Sequence, residues 1–263
     1  MTLMSSYVPG QFCWVDLMAH DMTAAARWYE AFFGWSAHAQ DTGIGPPYAQ
    51  FFLDGHTVAG LGQMPDSMRA QRLPPFWTSY VSVADAATAA AKIERHGGRV
   101  TMPVMEVMEA GKMAFVLDPE GAHFALWEAK QHPGAAYVNH VGGFGWNELA
   151  TRDVAAAQLF YSDVFGWTYQ QNPESPHPYV EIMNGGRANG GMLQMTEEWG
   201  DIPANWGVYF TVENAAAAAE KARALGGTVA VPPFEAPPAG IIAVLTDAEG
   251  AHFSVIEMHT EPE

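Results

Sequence analysis

The chain says nearly the same thing twice. Trp14-Val15-Asp16-Leu17 returns 132 positions later as Trp146-Asn147-Glu148-Leu149, and Phe33-Gly34-Trp35 returns at the same offset as Phe165-Gly166-Trp167. Asp118-Pro119-Glu120-Gly121-Ala122-His123-Phe124 returns 129 positions later as Asp247-Ala248-Glu249-Gly250-Ala251-His252-Phe253. Two halves in register, apart from a three-residue deletion, specify a duplicated unit rather than one long irregular fold. The expected layout is a first domain over residues 1–130, a linker over 131–142 and a second domain over 143–263. Pro133 and three glycines in the stretch 130–143 mark the linker.

Punctuation inside each half divides it again. Asp21, Asp85, Asp153 and Asn214 are N-cap residues ahead of Ala-rich stretches, and Gly34, Gly97, Gly166 and Gly226 stand where left-handed C-terminal caps fall. The spacing predicts helices over 22–33, 86–96, 154–165 and 215–225. Trp28, Tyr29, Phe32 and Phe33 form a core-facing stripe on the first, and Leu159, Phe160 and Phe165 on the third. Short strands precede the helices at 12–19, 78–83, 145–150 and 208–212. Others follow at 49–53, 57–64, 112–117, 123–129, 241–246 and 252–258. Each unit reads β-α-β-β-β, and there are four.

Composition narrows the class. A net charge of −17 with only 12 Lys plus Arg repels phosphate backbones, so neither nucleic acid nor an anionic membrane is an expected partner. The single cysteine, Cys13, allows no internal disulfide and suits a reducing compartment. No signal peptide and no run near the roughly 18 apolar residues of a membrane span is visible. The expected location is cytoplasmic, as a monomer or homodimer with a small-molecule ligand.

Four β-α-β-β-β units in two pairs resemble the vicinal oxygen chelate superfamily of glyoxalases, bleomycin-resistance proteins and extradiol dioxygenases. The signals are the run from Asp21 through Tyr29 to Trp35, its copy from Asp153 through Tyr161 to Trp167, and the Asp-x-Glu-Gly turn before each last strand. The tandem form is similar to two-domain glyoxalase-like proteins of the actinobacterial hydroxylase-like type. The resemblance implies an α+β fold: two glyoxalase/bleomycin-resistance-like domains, each an open, U-shaped mixed sheet with a cavity. It also implies metal ligands on the first and last strands of the units. Those positions hold Trp14, Gly60, Thr78 and Ala125 in one half and Trp146, Gly191, Gly207 and Ser254 in the other. Indole, methyl and glycine hydrogen bind no divalent cation. A one-residue slip along a strand turns every side chain to the opposite face, so misalignment does not restore the set. No metal and no cofactor is expected, unless ligands come from elsewhere, such as His56, His123 or His177.

Strand alternation with Trp14 and Trp146 inward also brings Phe12, Asp16, Phe144 and Glu148 into the cavities. Thr78, Tyr80, His123 and Trp127 follow in the first half, and Tyr209, His252, Ser254 and Ile256 in the second. Asp16, His123, Glu148 and His252 are the acid/base candidates. Trp14, Thr78, Tyr80, Trp127, Trp146, Tyr209 and Ser254 are the ligand-binding candidates. Trp14 and Trp146 either fill the vacated space or wall a planar ligand. Glu128 and Glu257 are expected to point outward. Two functions remain open: a metal-free binding protein for a small aromatic molecule, in the manner of bleomycin-resistance sequestration or transport, or a metal-independent lyase, isomerase or hydroxylase-like enzyme with a carboxylate-histidine pair. A metal-dependent glyoxalase or dioxygenase is the third and weakest reading.

Overall fold

The computed structural model describes residues 3–40, 46–171 and 178–259. The first half runs β1 (Phe12–Ala19), α1 (Met22–Phe33), β2 (Ser36–Gln40), β3 (Tyr48–Leu53), β4 (His56–Gln63), α2 (Asp66–Ala70), β5 (Phe76–Ser82), α3 (Ala86–Arg95), β6 (Arg99–Val107), β7 (Gly111–Leu117) and β8 (His123–Ala129). The second half repeats it as β9 (Phe144–Thr151), α4 (Val154–Phe165), β10 (Thr168–Gln171), β11 (Tyr179–Asn184), β12 (Arg187–Gln194), β13 (Asn205–Thr211), α5 (Ala215–Ala224), β14 (Thr228–Ala236), β15 (Gly240–Thr246) and β16 (His252–Met258). A short 3₁₀ turn, Glu197–Trp199, stands in the place of α2.

Two open eight-stranded sheets result, ordered β2-β3-β4-β1-β5-β8-β7-β6 and β10-β11-β12-β9-β13-β16-β15-β14. Within each unit the first strand pairs in parallel with the last, as β1 with β4 and β5 with β8. The two units meet antiparallel at β1 and β5. The four expected helices form with the expected caps. Asp21 accepts hydrogen bonds from the amides of Thr23 and Ala24, and Gly34 closes α1 at φ 78°, where a side chain would be strained. Asp85, Asp153 and Asn214 cap the others.

The sheets pack against each other through one face each. Trp35, Trp77, Phe210 and Phe253 interlock there, and Phe12 sits on Trp167 and Trp206. This corrects the expectation for Phe12. A register shift between Phe12 and Trp14 interrupts the alternation, so Phe12 turns to the inter-sheet face while Trp14 stays on the opposite one. Leu159 departs as well: it is 70% exposed on α4, while Phe160 carries the buried side.

The Tyr-x-x-x-Phe-Gly-Trp run and the Asp-x-Glu-Gly turn of each half reach the opposite half or the linker. The Tyr29 hydroxyl donates to Asp247 (3.2 Å) and Tyr161 donates to Asp118 (3.0 Å). The Trp35 indole donates to the Gly142 carbonyl and Trp167 to the Gly10 carbonyl, both at 2.8 Å. Glu249 accepts the amides of His20 and Asp21 at the entry to α1, and Glu120 accepts that of Arg152 at the entry to α4. Glu128 and Glu257 each accept the first amide of a helix, at Ala86 and Ala215. A carboxylate there satisfies an orphan N–H and complements the helix dipole.

Candidate functional site

Two clusters of aromatic and carboxylate side chains, one on each sheet, occupy the faces turned away from the inter-sheet core. On the first sheet Trp14 stands opposite Tyr80, and Asp16 is flanked by Thr78 and Gly60. The Tyr80 hydroxyl donates to Asp16 Oδ2 at 2.7 Å, and the Trp14 indole donates to the Tyr48 hydroxyl at 3.1 Å. The second sheet repeats the cluster. Tyr209 donates to Glu148 Oε1 at 2.7 Å and Trp146 donates to Tyr179 at 2.9 Å. Tyr48 and Tyr179, absent from the candidates read off the sequence, are as central as the tryptophans. The signal that finds them is the glycine opposite. A Cβ on Gly60 would lie 2.0 Å from the Tyr48 hydroxyl, and one on Gly191 would lie 1.9 Å from that of Tyr179. Each glycine leaves room for a phenol.

That replacement decides the fit of a metal. Of the four positions the superfamily pattern gives to ligands in each half, one is indole and one is a glycine whose space a tyrosine takes. The others are Thr78 and Ala125, or Gly207 and Ser254. Among the described residues no three His, Cys, Asp or Glu side chains gather to hold an ion. The residues present do not fit a metal centre. His56 opens β4 and His177 lies outside the described residues.

The carboxylates are held unlike surface acids. Asp16 is 6% exposed and its second oxygen, Oδ1, has no hydrogen-bond partner. Burial outweighs the Tyr80 bond and pushes its carboxyl up to about 7. Glu148, one methylene longer and half-buried, bonds both Tyr209 and Tyr179; burial raises it too, against those bonds. All four tyrosines are raised well above the ordinary phenol value, by burial and by their neighbouring carboxylates, and stay protonated. Ser254, opposite Tyr209, contributes a further hydrogen bond to it.

The histidines behave differently from the pairing anticipated. His123 rests against Phe115 and Phe76, at 5.3 and 5.7 Å between ring centroids, and burial pushes it down to about 4. Along the sheet it stands beyond Thr78 from Asp16, two strand spacings or about 10 Å away. No hydrogen bond or ion pair joins them. His252 is exposed and makes no bond to Glu148. The histidine nearest the first cluster is His132, in the linker, which packs edge-on against Trp14 at 4.6 Å and near Trp127 at 5.8 Å. The Trp127 indole donates to the His132 carbonyl at 2.8 Å. The bulge in β1 turns the Cys13 carbonyl toward the Ala135 amide at 2.8 Å, docking the linker. Sequence reading passed over His132 because nothing in a glycine- and proline-marked linker announces where its side chains settle.

The clefts consequently differ. The first is closed, with Trp14, Asp16, Tyr80 and Trp127 all buried. In the second, Ile256 replaces Trp127 and Gly207 replaces Thr78. A Cβ on Gly207 would meet nothing closer than 3.7 Å. Trp146 is half-buried and packs on the small cluster of Tyr209, Ile242 and Ile256.

A pair of open mixed sheets, each with a curled cluster at the junction of its two units, defines the glyoxalase class of architecture. Residues 11–126 match the family model of the glyoxalase/bleomycin resistance protein/dioxygenase superfamily, and residues 147–256 that of the glyoxalase-like domain. The chain is 37% identical over 254 residues to the protein named "Putative glyoxylase CFP32" of Mycobacterium tuberculosis, covering 96% of this chain and 97% of that one. It is 33% identical to the anthracycline biosynthesis protein DauV of Streptomyces sp. strain C5, covering 97% and 96%. The Mn(II)-bound glyoxalase of Novosphingobium aromaticivorans shares the fold with a TM-score of 0.60 at 12% identity, over 97% of this chain and 86% of that one. The chain belongs to the glyoxalase/bleomycin resistance protein/dioxygenase superfamily.

Proposed function

We propose that the protein is a metal-free binding protein for a small planar aromatic molecule, taken up in the second cleft. The carrying observation is the half-buried Trp146 beside Gly207, which has no side chain where the first half has Thr78, next to the half-buried Glu148 that accepts from the Tyr209 hydroxyl. An indole wall supplies stacking worth about 0.5–1.5 kcal/mol beyond area burial. The carboxylate-tyrosine pair fixes orientation with few polar groups in an otherwise apolar site. The relatives named for anthracycline biosynthesis support an aromatic ligand, since anthracyclines are fused-ring aromatics. The donor chemistry of both clusters supports a role without a metal.

A titration with 1-naphthol tests this by tryptophan fluorescence and calorimetry. Saturable one-to-one binding that Trp146→Ala removes and His132→Ala leaves in place is the expected result. Unchanged binding in Trp146→Ala overturns the assignment. One observation favours catalysis as a second reading: the Asp16 carboxyl is poised near neutrality, the range in which general acids and bases work. Recovery of a chemically altered ligand after incubation, lost in Asp16→Asn, supports that reading over binding alone.

A further inference from the structure

The first cluster closes into a ring of six side chains. Trp14 bonds Tyr48; Tyr48 and Asp16 meet over Gly60; Tyr80 bonds Asp16; Tyr80 and Trp127 lie 6.5 Å apart; Trp127 adjoins His132; and His132 returns to Trp14. Two buried side-chain atoms among the described residues lack a hydrogen-bond partner, Asp16 Oδ1 and His132 Nε2. Both belong to this one ring. An unmet buried polar atom costs about 1–3 kcal/mol, and more when charged, so each of the two calls for a partner.

The chemistry of that partner follows from the ring. Four members are aromatic faces, one is a carboxylate and one is an imidazole. A group that donates to a carboxylate oxygen and an imidazole nitrogen together, and is stabilised by indole and phenol faces, is an ammonium. We propose that this ring is a second ligand site, distinct from the Trp146 cleft, that receives a small protonated amine donating to Asp16 Oδ1 and His132 Nε2. His132 is the one member carried on a linker rather than a strand and is partly exposed, so the amine enters past it. The second half has no equivalent box, because Ile256 stands for Trp127 and Glu148 spends its carboxylate on two tyrosines.

A pH dependence comes with the site. The titratable groups facing Asp16 are Tyr48 from β3, Tyr80 from β5, His132 from the linker and, beyond Thr78, His123 from β8; Cys13 lies on the opposite face of β1. Burial raises both phenols and the thiol out of the neutral range and lowers both imidazoles to about 4. Only Asp16 changes charge between pH 5 and pH 9, and the bound amine requires it ionised. Affinity therefore rises with pH through about 7 and then levels, and binding below 7 releases a proton.

Calorimetry with benzylammonium chloride, and with benzyl alcohol as its uncharged counterpart, tests this on the full chain. At pH 8 the ammonium binds one-to-one and at least about tenfold tighter than the alcohol, as a charge-assisted bond of this kind requires. The preference disappears in Asp16→Asn and weakens in His132→Ala. In the unaltered protein the ammonium affinity falls about tenfold per pH unit below 7, with proton release read from two buffers of different ionisation heat. Equal binding of alcohol and ammonium, no ammonium binding, or a flat pH profile overturns the proposal. So does a preference that survives Asp16→Asn and is lost in Glu148→Gln. None of these results bears on 1-naphthol binding at Trp146, so the two readings fail separately.

Discussion

Replacing Asp16 by Asn reverses its effect on stability between acid and neutral pH. An ordinary aspartate titrates at 3.8 and Asp16 in the folded chain at about 7. Because the folded value lies above the unfolded one, ionisation opposes folding. Stability is fully present below pH 3.8, falls as pH rises through that window and levels out above 7. At about 1.36 kcal/mol for each pH unit separating the folded and unfolded values, the wild-type chain gives up about 4 kcal/mol across the window, an upper bound that relaxation around the buried charge reduces. Asn keeps the Tyr80 bond through its carbonyl oxygen but turns an unpartnered N–H toward the ring, at a cost of about 1–3 kcal/mol. The variant is therefore less stable than wild type at pH 4 and more stable at pH 8. Urea unfolding of both proteins at half-unit steps measures the difference, and all other carboxylates cancel in it. A stability difference that does not change with pH, or one favouring wild type more at pH 8 than at pH 4, contradicts a buried, raised Asp16.

Tyr29→Phe removes the donor to Asp247 and the acceptor for the Trp77 indole, which lies 3.1 Å from the same hydroxyl; an expected loss of about 2–3 kcal/mol is read from urea midpoints, and Tyr161→Phe behaves alike through Asp118 and Trp206. Gly60→Ala drives a methyl against Tyr48 and costs about 1–3 kcal/mol; Tyr48→Phe in the same chain recovers part of it, which a double-mutant cycle measures. Gly134→Ala places a Cβ 2.2 Å from the Cys13 carbonyl at φ 132°, so the linker undocks, His132 leaves Trp14, and acrylamide quenching of tryptophan fluorescence increases.

The fold was legible because its signals are local. An Asp, an Ala-rich stretch and a Gly specify a helix whatever packs on it, and alternation specifies the strands on either side. Six strands, β2, β6, β10, β11, β12 and β14, received no range from the sequence, and β2, β6, β10 and β14 are sheet edges. β2 is exposed at every position, and β6 and β14 carry Pro103 and the Pro232-Pro233 pair, which edge strands tolerate because half their donors face solvent. No apolar period marks them. The site was legible only along each strand. Trp14, Asp16, Tyr80 and Trp127 share a face because alternation demands it. Tyr48 arrives from β3 across an intervening strand and His132 from a linker, and neither placement follows from spacing. Phe12 was misplaced because a bulge inverts alternation without leaving a mark in the residue types.

The repeat carries a different meaning once these contacts are known. Its most faithful copies, the Tyr-x-x-x-Phe-Gly-Trp run and the Asp-x-Glu-Gly turn, make no contact with either cleft. Tyr29 reaches Asp247, Trp35 reaches Gly142 and Glu249 reaches the entry of α1, each with its mirror in Tyr161, Trp167 and Glu120. A motif in one half is thus completed by the other half, and a change in either member leaves a buried group unpaired. Cleft residues face no such reciprocal partner. Asp16 against Glu148, Thr78 against Gly207 and Trp127 against Ile256 each alter one cleft without disturbing the lock between the sheets. The same duplication therefore holds the architecture symmetric and leaves its two sites free to take different ligands: a closed aromatic box with an unmet carboxylate oxygen on one side, and an open indole wall on the other.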